Sequence, residues 1–176
     1  VEAFAGNGST LSAAGDITIA ANSANTATAT SYGIAGGVVG VGTTMANATA
    51  NGSVLVHMDG TVSSVNTLAV RATATDTSTA NSTAATGGIY AGAGSVARAT
   101  TSPVVSAYLA GTVAARTAVS VTATLTPKAN ATALGVSIGA LAVGVSSATA
   151  TVSPTVDAHA GGNITAPSLS VIATQA

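Results

Sequence analysis

Few side chains in this sequence could do chemistry: two histidines, His57 and His159, five carboxylates, Glu2, Asp16, Asp59, Asp76 and Asp157, and no cysteine. Neither histidine has the serine and orienting acid of a catalytic triad around it. The carboxylates recur in no paired position, so a two-carboxylate glycosidase site has nothing to build on. A shared zinc would need both imidazole nitrogens within about 2.1 Å of one ion. The histidines instead lie two repeat lengths apart, roughly 9 to 10 Å if each repeat forms one coil of a stack. Calcium-binding nonapeptides of the Gly-Gly-x-Gly-x-Asp type are absent. The glycine-rich run 33–42 lacks the following helix, the Lys-Ser/Thr pair and the acidic ribose partner of a phosphate loop. The reading is therefore a protein that is not an enzyme and holds no cofactor or metal.

Two constellations remain. Phe4, His57, Tyr108 and His159 occupy equivalent positions once one extra residue is allowed near Asn7. They alternate with small inward residues, which predicts an aromatic ladder on an outer face, a stiffening element or a shallow surface for sugar. Thr26, Thr28 and Thr30 fall in one face over Thr77 and Thr79, the kind of hydroxyl array that an ice-binding face needs. Arg71, Asp76 and Lys128 are expected to interrupt it.

The element that positions these residues is a repeat of 51 residues. Ile17-Thr18-Ile19-Ala20-Ala21 returns as Leu68-Ala69-Val70-Arg71-Ala72 and as Val119-Ser120-Val121-Thr122-Ala123, and a fourth copy begins one residue early at Leu169. The copies are approximately 11–61, 62–112 and 113–163, with partial copies at 1–10 and 164–176, in a single repetitive domain. Alternation dominates each copy, which is strand periodicity. Residues 17, 19, 21, 27 and 29 and their counterparts form inward columns of Ile, Leu, Val and Ala, with Ser78 among them. Thr and Asn fill the outward ones. Gly37, Gly88 and Gly139 share a column, as do the turn glycines Gly60, Gly111 and Gly162, and Pro103 and Pro154 coincide at strand starts.

Self-similarity of this size marks stacked architectures. The predicted fold is all-β, a parallel β-solenoid with coils about 4.8 Å apart. Its Ala-rich inward columns predict a flat section with facing sheets closer than the usual 10 Å or so. Whether 51 residues make one coil or two stays open. Antiparallel hairpins with their tips at the glycine-rich block are the alternative.

Composition narrows the partners. Hydrophobic residues are 47% but aromatics only 2%, so the core is built of Ala and Val. Charged residues are 5% and the net charge is −1, which leaves no electrostatic footprint for nucleic acid or anionic lipid. The apolar run from Leu134 to Val145 is too short for a membrane span, and four aromatic residues cannot furnish a barrel's girdles. With no initiator Met, no Lys/Arg-led signal and no polar cap at either end, the chain reads as a piece of something longer. Alternatively it self-associates end to end through open strand edges.

The run Ala3-Phe4-Ala5-Gly6-Asn7-Gly8-Ser9-Thr10-Leu11-Ser12-Ala13-Ala14-Gly15-Asp16-Ile17-Thr18-Ile19-Ala20-Ala21, with the Ala-Thr alternations and the Gly-Val-Val-Gly-Val-Gly run at 37–42, resembles the repeat region of giant bacterial surface proteins. These are the filamentous-haemagglutinin-like and leukotoxin-type filamentous adhesins. The resemblance spans essentially the whole chain. It implies secretion to the cell surface, a β-helical shaft, and a role in attachment to cells or polysaccharide, in matrix or in surface filaments. No secretion domain or host-binding segment of that family is visible here.

Overall fold

The computed structural model describes residues 1–176 and contains thirteen strands and no helix. In chain order these are β1 (Glu2–Ala5), β2 (Thr10–Ser12), β3 (Ile17–Gly36), β4 (Val39–Ala50), β5 (Ser53–Met58), β6 (Thr61–Gly87), β7 (Tyr90–Thr101), β8 (Val104–Leu109), β9 (Thr112–Ile138), β10 (Leu141–Val152), β11 (Thr155–Ala160), β12 (Asn163–Thr165) and β13 (Ser168–Gln175). Every pairing between them is parallel, so the stacked-hairpin alternative is overturned.

Each 51-residue repeat is one wide coil. In the second coil, the long strand β6 runs out to the turn at Gly88-Ile89, β7 returns, and the short β8 closes the unit. Three sheets result. The short strands stack as β1-β5-β8-β11, the return strands as β4-β7-β10, and the long strands as β2 and β3, then β6, then β9, then β12 and β13. Counterparts lie directly over one another: Ala21, Ala72 and Ala123 are adjacent, as are Ala46, Ala97 and Ala148. The last partial copy is indeed one residue early, since Ile164 pairs with Val113 but Leu169 with Val119.

The coil changes character along its length. At its base the short strands face the first half of the long ones, and Val54, Val56, Met58, Leu68, Val70, Val105, Leu109, Val113, Val119 and Leu125 fill the gap. This part of the core is bulkier than an Ala-dominated reading implies. In the middle the filling thins to Ala46, Ala48, Ala80, Ala97 and Ala99, flanked by Ala27, Ala29, Ala129, Ala131 and Ala133. Alanine is what lets two sheets approach this closely, and at about 25 cal/mol per Å² no single residue there dominates stability.

Toward the tip even alanine becomes too large in places. A Cβ on Gly33 would sit 2.6 Å from Thr44 Cγ2, and one on Gly40 2.7 Å from the Gly87 carbonyl. The remaining interior is small, with Ala84, Ala91 and Ala93 among hydroxyl-bearing residues. Thr44 and Ser82 hydroxyls bond at 2.8 Å, Ser95 donates to the Ser82 carbonyl at 2.7 Å, and Ser137 donates to the Val143 carbonyl at 2.8 Å.

Two expectations need correction. Asp76 does not interrupt the outer threonines, because it shares the parity of Leu68, Val70 and Ala72 and is fully buried. It sits against the bend between β4 and β5, at Gly52. Its Oδ1 accepts from Asn25 Nδ2 at 2.8 Å, and its Oδ2 accepts from the Gly52 N–H at 3.1 Å. In the next coil the equivalents of Asp76 and Gly52 are Pro127 and Pro103. The carboxylate is present where there is an N–H to receive and replaced where there is none. The second correction concerns the first turn, where Gly6-Asn7-Gly8-Ser9 spans the place of Asp59-Gly60. Phe4 pairs with His57 while Thr10 pairs with Thr61, so two extra residues are accommodated and not one. Gly8 absorbs them with a positive φ of 81°.

Candidate functional site

The aromatic ladder sits on the outer face of the short-strand sheet. Its alternate residues, Val56 and Met58 on β5 and Ala107 and Leu109 on β8, are fully buried, and this anchors the strands and forces His57 and Tyr108 outward. In-register pairing then sets the rings over one another. Successive centroids from Phe4 to His57, Tyr108 and His159 are 5.0, 5.0 and 5.1 Å apart, and the planes differ by only 5°, 10° and 6°.

Carboxylates line the edges of the stack. His57 Nδ1 lies 2.6 Å from Asp59 Oδ2 and its Nε2 3.1 Å from Glu2 Oε1. A carboxylate only accepts, so both bonds exist together only when the ring carries both protons. His159 Nδ1 lies 2.7 Å from Asp157 Oδ2, which also accepts from Ser106 at 3.3 Å. Burial pushes the Tyr108 phenol above its ordinary 10.0, and the charges of Asp59 and Glu2 add to the rise.

This geometry constrains the chemistry. Asp59 and Glu2 occupy opposite nitrogens of His57 and so cannot converge with it on one ion. His57 and His159 are separated by the Tyr108 ring. Sugar recognition by stacking needs an open ring face, but His57 and Tyr108 have both faces covered by neighbours. Only the outer face of Phe4 and the far face of His159 remain. The ladder therefore acts as a staple across four strands, worth about 0.5–1.5 kcal/mol per ring pair beyond area burial.

The threonines are also brought together. Thr26 lies beside Thr77, and Thr28 beside Thr79, all facing outward from the long-strand sheet. The third row replaces them with Lys128 and Asn130, and Thr30 is followed by Asn81 and Thr132. In-register outward pairs continue toward the base as Thr73/Thr124 and Thr75/Thr126, so the second coil carries a row of four threonines, Thr73 to Thr79, that is matched by the first coil at one end and by the third at the other. Arg71 lies on the same outer face, three alternations nearer the base than Thr77.

Sequence reasoning missed the outer surface of the tip. Tyr32, Ile34, Leu134, Val136 and Ile138 face outward on the long-strand sheet, and Val39, Val41, Tyr90, Leu141 and Val143 on the return sheet. Ile34 is 90% exposed and Val41 70%. The signal was present. The outward parity of Thr26, Thr28 and Thr30 continues through Tyr32 to Ile34, so the inward column must pass through Gly33. Comparisons with protein-family models, with curated proteins and with solved structures find no match for this chain.

Proposed function

We propose that this chain is a structural β-solenoid of the bacterial cell surface, working outside the cell as a segment of a giant adhesin or as the protomer of a self-stacking filament. The observation that carries the reading is the register: each residue pairs with its own counterpart one coil away, so either end presents the template for another coil. At one end Ile17, Ile19 and Ala21 lie on an unpaired strand edge, and at the other Leu169, Val171 and Ala173 present the same column. Open edges of this kind pair with whatever extended chain matches them. A ladder whose ring faces are spent on each other favours a load-bearing shaft over a receptor site. Attachment to polysaccharide or another cell would then belong to the assembly, not to one pocket of this chain.

Negative-stain imaging with light scattering tests the self-stacking form. Filaments with an axial repeat of about 4.8 Å in fibre diffraction are expected. A monodisperse monomer at all concentrations would leave only the version in which the chain is continued covalently. A second reading, ice binding, draws on the in-register pairs Thr26/Thr77 and Thr28/Thr79, whose hydroxyls repeat at about 6.7 Å along a strand and 4.8 Å between strands. Thermal hysteresis is its assay, and an absence of hysteresis removes it.

A further inference from the structure

The tip of the coil is inverted. Its interior is Gly, Ala, Ser and Thr, whereas the first and third coils present Val, Ile, Leu and Tyr outward, with Thr83, Ala85, Gly87 and Gly92 of the second coil between them. At the base the order is the usual one, with Val, Leu and Met inside and polar residues outside. Exposed apolar patches of this extent on soluble proteins mark interaction surfaces. Three features identify what this one meets. The apolar residues cover both faces, Tyr32, Ile34 and Val136 on one and Val39, Val41 and Val143 on the other, and Val38 and Ile89 at the turn join them. A second copy docking on one sheet would leave the other face and the turn in water. Only a medium that surrounds the tip satisfies all of it.

The second feature is charge. Every acid in reach of water lies at the base: exposed Glu2 and Asp157 and half-buried Asp59 beside the ladder, and exposed Asp16 before β3. The fifth acid, Asp76, is buried. Of the four cations, Arg71 and Arg116 are exposed among those acids at the base, whereas Arg98 on the return sheet and Lys128 on the long-strand sheet stand exposed between base and tip, one on each face, with no acid beside them. The net charge of −1 conceals this separation because it averages the two ends. The third feature is depth. From Leu134 to Ile138 the apolar surface extends about 13 Å along the strand at roughly 3.3 Å per residue. That is enough to cover the roughly 5–10 Å to which interfacial elements bury their apolar faces. Tyr32 and Tyr90 supply rings suited to the boundary between headgroup and acyl chain.

We infer that the glycine-cored tip docks into the surface of a lipid bilayer, its Val, Ile, Leu and Tyr side chains entering the interface and Arg98 and Lys128 reaching anionic headgroups behind it. Docking stops at the interface, because Arg98 and Lys128 stand behind the apolar tip and a charged side chain is costly to carry into hydrocarbon. The inference stands independently of end-to-end stacking, since the tip faces sideways from the axis along which coils add.

Flotation with vesicles of phosphatidylcholine, with and without phosphatidylglycerol, tests it. The chain should co-float with the anionic vesicles, at least about tenfold more tightly than with the neutral ones, given two cations near the surface. Ile34→Ser with Val41→Ser and Val143→Ser should abolish co-flotation while leaving the circular dichroism spectrum intact. Arg98→Gln with Lys128→Gln should erase the preference for anionic lipid. Because the chain has no Trp, Ile34→Trp provides a single reporter whose emission should shift to the blue on vesicle addition and be quenched by brominated acyl chains. Failure to co-float overturns the inference, as does co-flotation that survives the triple serine variant. Sedimentation showing a lipid-free dimer abolished by the same serines would assign the tip to a second copy and overturn it equally.

Discussion

Asp76 is the only titratable side chain fully removed from water at the bend of a coil, and Asp76→Ala tests whether it holds the bend closed. Its two acceptor oxygens receive Asn25 Nδ2 at 2.8 Å and the Gly52 N–H at 3.1 Å, and no cation stands opposite. Hydrogen bonds to a charged group are worth about 1.5–3 kcal/mol each, and an orphaned buried donor costs about 1–3 kcal/mol. The Asn25 amide lies on the first coil, where water can replace the lost acceptor in part, so the expected loss is about 2–4 kcal/mol. Urea unfolding followed by circular dichroism measures it. Asn25→Ala alone leaves the carboxylate with one donor, and the double variant removes the unmet group along with its partner. The double variant should therefore cost less than the sum of the singles by about 1 kcal/mol or more. An Asp76→Ala loss under about 0.5 kcal/mol, the range of unremarkable surface changes, would refute the assignment of a bend-closing role.

Three further outcomes follow from the packing. Gly111→Ala drives a Cβ into the Gly60 carbonyl and the Asp59 backbone, whereas Gly161→Ala meets nothing within 4 Å; thermal unfolding should show a loss of about 1–3 kcal/mol for the first and almost none for the second. His57→Ala breaks two of the three ring contacts and should cost about 1–3 kcal/mol, while His57→Phe, which keeps the stack, should cost less. In a Tyr32→Phe/Tyr90→Phe background, phenolate absorbance should place Tyr108 above 10.0, and Asp59→Asn should bring it down. The folded state keeps that proton more tightly than the unfolded one. Stability is therefore untouched below the ordinary tyrosine range and falls as pH rises from there through the raised folded value.

The architecture was legible because a parallel solenoid writes its contacts into the sequence as a period. Pairing partners are 51 residues apart nearly everywhere, so reading down a column such as Ala21, Ala72, Ala123 is reading across a sheet. The aromatic ladder was legible for the same reason. What blurred the reading was local. An insertion at a turn shifts register without leaving an alternation to count, so the sequence shows one extra residue near Asn7 where the structure accommodates two across Gly6–Ser9. Asp76 was assigned by its charge instead of its parity, although parity alone places it inside.

Period and alternation, which are local and additive, determined that the chain is β and which residues share a column. That every pairing is parallel and that one repeat makes one coil was decided by the tertiary structure, because the same period also fits stacked hairpins. The division of the coil into a Val/Leu/Met base, an Ala middle and an inverted glycine-cored tip was decided only in three dimensions. It depends on which segment of the long strand faces which return strand, and on how closely they approach. The same fold kept Arg71 and Arg116 among the acids at the base and left Arg98 and Lys128 flanking the tip with no acid beside them, a distribution that no count of charges along the chain contains.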